Sequence, residues 1–207
     1  MKKIALVDYG LGNLRSAYNA FRCFEIDLVV AERGADLADA AGIVVPGVGS
    51  FDSGMSGLYG RGHVEALSRR VIEGGVAYLG ICLGLQFLFE GSEEGDKPGF
   101  GWFSGRVRRF PEGPNFLKTP HIGWTEIVTP RPTKLFAGIA TPADFYFVHS
   151  YYAPLEGEAA KNIAAVAEYG LDYAAGVERD NVHAVQFHPE KSQLAGMKLI
   201  ENFIAAV

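Results

Sequence analysis

The chain has 207 residues, 48% hydrophobic and 21% charged, a balance that excludes a disordered polymer and suits one buried core. Its formal net charge of -5 leaves no broad basic face of the kind that general nucleic-acid binding needs. Two cysteines, Cys23 and Cys82, are too few for a disulfide framework or a cysteine zinc site, and no apolar run reaches the ~18 residues of a membrane helix.

The first half alternates strand and helix. Ile4 to Tyr9 reads as a strand, too soon interrupted by Asp8 to be a signal-peptide core, and it meets Gly10, Leu11 and Gly12. Leu14, Ala17, Tyr18, Phe21 and Phe24 recur at helical spacing, with Cys23 on that helix as a structural residue. Leu28 to Ala31 and Gly42 to Val45 are further strands, the second ended by Pro46 and Gly47. Residues 61 to 73 read as an amphipathic helix with Val64, Leu67, Val71 and Ile72 apolar. Val76 to Ile81 is a strand and Leu83 to Phe89 the start of a helix. Continuous apolar strands between helices predict a parallel sheet covered on both faces. In the second half the helical period fades into short segments: 105–110, 124–129, 145–149, 163–169, 174–178 and 182–187. They predict an added antiparallel β region. Arg106, Arg108 and Arg109 alternate with Val107 and Phe110 as the wet face of a strand. Lys191 to Val207 closes the chain as a helix with Leu194, Met197, Ile200 and Ile204 on one face. No repeat or linker divides the chain, so residues 1–207 are expected to form one domain.

Three motifs carry chemistry. Gly80, Ile81, Cys82, Leu83 and Gly84 lie where an apolar strand gives way to a helix, the arrangement of a nucleophile elbow with cysteine in place of serine. The sharp turn requires small residues two before and two after the nucleophile. The N–H of Leu83 can then face a developing oxyanion. Among five histidines, His188 is followed by Pro189 and Glu190. In an extended segment positions i and i+2 point the same way, so Glu190 can orient the His188 imidazole. Pro46, Gly47, Val48, Gly49 and Ser50 end a strand in a two-glycine turn, which can rotate to present the N–H of Val48 as a second oxyanion donor. Gly10 and Gly12 begin a dinucleotide fingerprint, but Arg15 stands where its third glycine belongs.

Together the segments PGVGSF, GICLGLQ and QFHPE resemble those of class I, triad-type glutamine amidotransferases. Within that class, DYGLGNLRS, PHIGW, FVHSYY and HPEKS resemble the glutaminase subunits of imidazole glycerol phosphate synthase. The resemblance implies a flavodoxin-like α/β fold with a central, mostly parallel sheet. It implies Cys82 as nucleophile, His188 as base and acid, Glu190 as its orienter, and Val48 and Leu83 as oxyanion donors. Gly47, Gly49, Gln86, His149, Ser150 and Tyr151 match positions that contact glutamine. Asn13, Trp124, Tyr146 and Lys191 match positions facing a separate (β/α)₈ cyclase subunit, with which the chain is expected to form a heterodimer in the cytoplasm. The ammonia would serve histidine biosynthesis, yielding imidazole glycerol phosphate and an aminoimidazole carboxamide ribotide. No cofactor, metal, nucleic acid or membrane is implied. The lone subunit is expected to be a slow glutaminase, because the turn at Pro46 to Gly49 can swing its N–H away. Thr125 departs from the family, which more often has Asn or Asp there, and Ser16 stands where some members carry Asn. Three alternatives stay open: an amidotransferase subunit serving another acceptor, a non-catalytic regulatory or scaffolding relative, and a cysteine hydrolase acting alone on peptides or esters.

Overall fold

The computed structural model describes residues 1–11, 14–113 and 117–207. A nine-stranded sheet forms the centre. Five of its strands are parallel neighbours: β1 (Lys3–Val7), β2 (Asp27–Ala31), β3 (Gly42–Gly47), β4 (Ala77–Cys82) and, arriving late in the chain, β12 (Val182–Val185). Beyond β12 the sheet continues antiparallel through β11 (Asp172–Arg179), β10 (Ile163–Glu168), β7 (His121–Val128) and β8 (Ala143–His149), giving the order β2-β1-β3-β4-β12-β11-β10-β7-β8. A second sheet of three strands joins β5 (Phe89–Ser92), β6 (Phe103–Arg109) and β9 (Tyr151–Tyr152).

The parallel strands β1, β3 and β4 are buried almost throughout, which is why they lack polar alternation and read as plain apolar runs. One face packs Phe51, Leu58, Leu67, Tyr78, Phe87 and Phe103 against the sheet. The other packs Phe21, Phe145, Phe147, Phe187, Leu199 and Phe203. The helices are α1 (Leu14–Phe21), α2 (Phe51–Gly60), α3 (His63–Leu67), α4 (Leu83–Gln86), α5 (Gly157–Lys161) and α6 (Gln193–Ala206).

Several expected boundaries shift. Strand β3 runs through Pro46 and Gly47 instead of ending before them. Helix α3 widens into a π-helical turn over Ser68–Glu73, which leaves Ile72 49% exposed. The helix after Cys82 has only four residues, and Phe89 already belongs to β5. Cys23 lies just beyond α1, is exposed, and directs its sulfur at the Asn19 carbonyl. In α6 the buried stripe is Gly196, Leu199, Ile200 and Phe203, and Leu194 is 87% exposed. The basic residues of β6 are engaged locally: Arg106 with the Ser92 carbonyl at 2.6 Å, Arg108 with Glu156, and Arg109 with Glu112 at 2.5 Å.

Candidate active site

Cys82 ends β4 with φ 54° and ψ -103°, a conformation that costs a non-glycine residue on the order of 1–3 kcal/mol and persists only where its surroundings enforce it. Backbone crowding enforces it here. A Cβ on Gly80 would overlap the Gly84 carbonyl, and one on Gly84 would overlap the Val45 carbonyl of the neighbouring strand. The two glycines of the elbow are therefore needed for close approach, as their spacing predicts. Gly47 pairs with Cys82 in the parallel register of β3 and β4, so the two-glycine turn and the nucleophile leave the sheet at one level. Gly49 takes φ +106°, a region glycine enters freely.

A cavity of about 300 Å³ opens in front of Cys82. Val48, Gly49, Leu83, Gln86, His149, Ser150 and Tyr151 line it, all of them expected from the sequence. Gly47 sits behind this wall in β3. Three further lining residues, Glu94, Pro120 and Val148, were not expected. Glu94 accepts the Phe51 N–H at 2.7 Å. Burial, helped by nearby Asp52 and opposed by that N–H, holds its carboxyl above the usual range.

His188 follows β12 in extended backbone, and its Nδ1 lies 2.8 Å from Glu190 Oε1. Glu190 does not reach it along a strand, as the i, i+2 argument supposed. Pro189–Lys191 form a 3₁₀ turn that folds Glu190 back, and both side chains are buried. Burial alone would lower the His188 pKa. The Cys82 sulfur and the Glu190 carboxylate beside it outweigh burial and raise the pKa to about 10. His188 Nε2 is buried and has no hydrogen-bond partner among the described residues, as suits a group that holds a proton for a reacting molecule. Sequence reasoning missed Gln186. It lies fully buried in the same segment, and its Nε2 donates to Cys82 Sγ at 3.5 Å while its Oε1 accepts from Gln86 Nε2 at 3.2 Å. The available signal was one amide between the apolar Val185 and Phe187.

The expected interface residues gather on one face. Trp124 and Tyr146 are paired across β7 and β8, their rings 6.0 Å apart, and Lys191 Nζ stands 5.6 Å from the Tyr146 ring centre. Trp124 is 48% exposed. Asn13 lies outside the described residues. The Tyr146 carbonyl accepts the His188 N–H at 2.9 Å, so this face is tied by backbone to the residue carrying the imidazole.

The profile of the family described as Glutamine amidotransferase class-I matches residues 5–207. The chain belongs to that family. It is 44% identical over 205 residues to imidazole glycerol phosphate synthase subunit HisH of Moorella thermoacetica, covering 98% of this chain and 94% of the relative. It is 46% identical over 205 residues to the protein of the same name from Syntrophotalea carbinolica, covering 97% and 98%. These similarities place the chain in the HisH group of class-I amidotransferases. PurLQS from Thermotoga maritima, at 19% identity, superposes with a TM-score of 0.71 over 99% of this chain and 98% of that one, which shows the shared α/β fold. Among the described residues, no helix is long and apolar enough to cross a membrane.

Proposed function

We propose that this chain, acting as one glutaminase domain, supplies ammonia to the cyclase half of a cytoplasmic imidazole glycerol phosphate synthase. The observation that carries the reading is the strained Cys82 elbow at the cavity, with the buried His188–Glu190 pair beside its sulfur. Glutamine enters with its carboxamide at Cys82. The thiolate attacks the amide carbon, and the carbonyl electrons move to oxygen, held by the N–H groups of Val48 and Leu83. His188 carries the thiol proton and passes it to the departing nitrogen, so ammonia leaves and a glutamyl thioester remains. Water gives a proton to His188, attacks the thioester, and releases glutamate and the thiol. Glu190 keeps the imidazole oriented through Nδ1 and stabilises its charged form. His149, Ser150, Tyr151, Gln86, Gly47 and Gly49 shape the glutamine site, and the Glu94 carboxylate suits the α-ammonium group of the substrate.

Trp124, Tyr146 and Lys191 form the face for the (β/α)₈ cyclase in a heterodimer, and Asn13 is assigned a cyclase contact on the resemblance alone. Ammonia passing across that face meets a phosphoribosyl-bearing ribonucleotide, and the synthase forms imidazole glycerol phosphate and an aminoimidazole carboxamide ribotide for histidine biosynthesis. The test is glutamine hydrolysis by the chain alone, with the cyclase, and with the cyclase and its ribonucleotide. Slow turnover alone, a rise on assembly, and loss of at least ~10³-fold in Cys82→Ala are expected. Undiminished hydrolysis by Cys82→Ala in the assembled enzyme would overturn the mechanism.

A further inference from the structure

A file of hydrogen bonds runs from β7 of the large sheet to the cavity wall. Thr125 Oγ1 lies 2.8 Å from His121 Nε2. His121 Nδ1 lies 3.2 Å from the Tyr173 hydroxyl, and the same hydroxyl lies 3.4 Å from His149 Nε2. His149 Nδ1 is 2.8 Å from the Tyr151 carbonyl, which also accepts from Gln86 Nε2 at 3.1 Å. His149, Tyr151 and Gln86 line the cavity, and Thr125, His121 and Tyr173 stand behind them. Tyr169 and Phe147 stack against His121 with ring centres 4.0 and 5.0 Å away, which confines its ring to one plane.

The order of protons in this file follows from the atoms. A carbonyl oxygen only accepts, so His149 donates from Nδ1. Burial lowers the pKa of His149 to about 3, and of His121 to about 4. Both rings are then neutral at pH 7 with one N–H each. His149 Nε2 must therefore accept, and it takes the single proton of Tyr173. The Tyr173 oxygen has only lone pairs left for His121, which donates from Nδ1. His121 Nε2 accepts in turn, and the Thr125 hydroxyl supplies the proton. Each donor meets one acceptor, and removing a hydroxyl frees His121 to exchange tautomers and takes the support from His149 Nε2, so the arrangement is lost as a unit.

We propose that Tyr173, His121 and Thr125 are positioning residues for the glutamine site: they anchor the His149 ring through Nε2, so that its Nδ1–H fixes the Tyr151 carbonyl that fastens Gln86. Gln86 in turn bonds Gln186, whose amide donates to the sulfur. The inference rests on the glutaminase reading and extends it to residues that do not touch the substrate.

The test compares Thr125→Val, Tyr173→Phe and the double variant, each assembled with the cyclase, for kcat/KM on glutamine. Tyr173→Phe lowers it about tenfold and Thr125→Val about threefold, and the double variant is no worse than Tyr173→Phe alone. Additive losses, or a Thr125→Val enzyme equal to the unaltered one, would overturn the proposal. Imidazole ¹⁵N spectra of the unaltered protein provide a readout independent of catalysis. His121 and His149 should both be neutral and Nδ1-protonated at pH 7, and Tyr173→Phe should give His121 a mixture of tautomers while His149 keeps its Nδ1–H. Nε2–H tautomers or charged rings in the unaltered protein would overturn the proposal even with glutamine turnover intact. Correct tautomers in a complex that does not hydrolyse glutamine would instead defeat the glutaminase reading, and with it the positioning role.

Discussion

Cys82 and His149 face one cavity, yet the two halves of the sheet hold them by different means. On the parallel side the fit is one of backbone against backbone: Gly80 and Gly84 have no room for a side chain, and that crowding forces Cys82 into its strained turn. On the antiparallel side His149 sits among His121, Tyr173 and Phe110, oriented by hydrogen bonds within an aromatic layer. Overlap of hard atoms gives way all at once or not at all, whereas a hydrogen-bonded layer loosens by degrees. A nucleophile must be placed to a fraction of an ångström, and the steric solution suits it. A pocket that admits and releases a substrate tolerates the softer one.

The largest expected effect tests the pair that joins the halves. Glu190→Gln preserves the shape but offers His188 Nδ1 an amide, so kcat should fall on the order of 10²–10⁴-fold with little change in KM, measured as glutamate release by the assembled enzyme. Next, Gly84→Ala drives a methyl group into the Val45 carbonyl. It should cost at least ~3 kcal/mol in urea unfolding or yield insoluble protein, and a soluble variant of unchanged stability would break the steric half of the contrast.

A smaller effect belongs to the outer face of the antiparallel half. Trp124→Ala should weaken cyclase binding about 10–100-fold by calorimetry while the urea midpoint of the lone subunit stays within error. The smallest separates the halves by pH. His188, raised to about 10, contributes stability that is complete below pH 6.5 and lost as pH rises towards 10. His149 and His121, lowered to about 3 and 4, contribute stability that is present above pH 6.5 and lost as pH falls towards those values. Urea midpoints across pH should therefore decline on both sides. Cys82→Ala should flatten only the alkaline side and His121→Phe only the acid side. One variant flattening both would merge the two regions.

The parts of the site that depend on local chain geometry were legible in the sequence. The elbow glycines announce a tight turn because nothing else fits, and continuous apolar runs announce parallel strands. What escaped depends on distant contacts. Helix α2 contains Gly54, Gly57 and Gly60, poor helix formers, yet Gly57 is needed where the helix crosses the Tyr9 carbonyl and Gly54 where it meets Phe87. Leu194 fits a helical stripe, but the sheet lies against Leu199 and Phe203. Glu94 belongs to none of the motifs, and the turn after β5 brings it to the cavity. His188 and Glu190 were paired correctly through the wrong backbone, because proline initiates a 3₁₀ turn as readily as it prolongs a strand.

One contact beneath the site bears on how the glycine loop moves. The Tyr9 hydroxyl donates to the Pro46 carbonyl at 2.9 Å, and a Cβ on Gly47 would overlap that hydroxyl. The peptide entering Gly47 is thus pinned to a post rooted just past the first strand. Rotation is left to the links on either side of Val48, so the loop behaves as a short crank on a fixed axle. An N–H mounted in this way can turn over in place without any shift of the sheet beneath it.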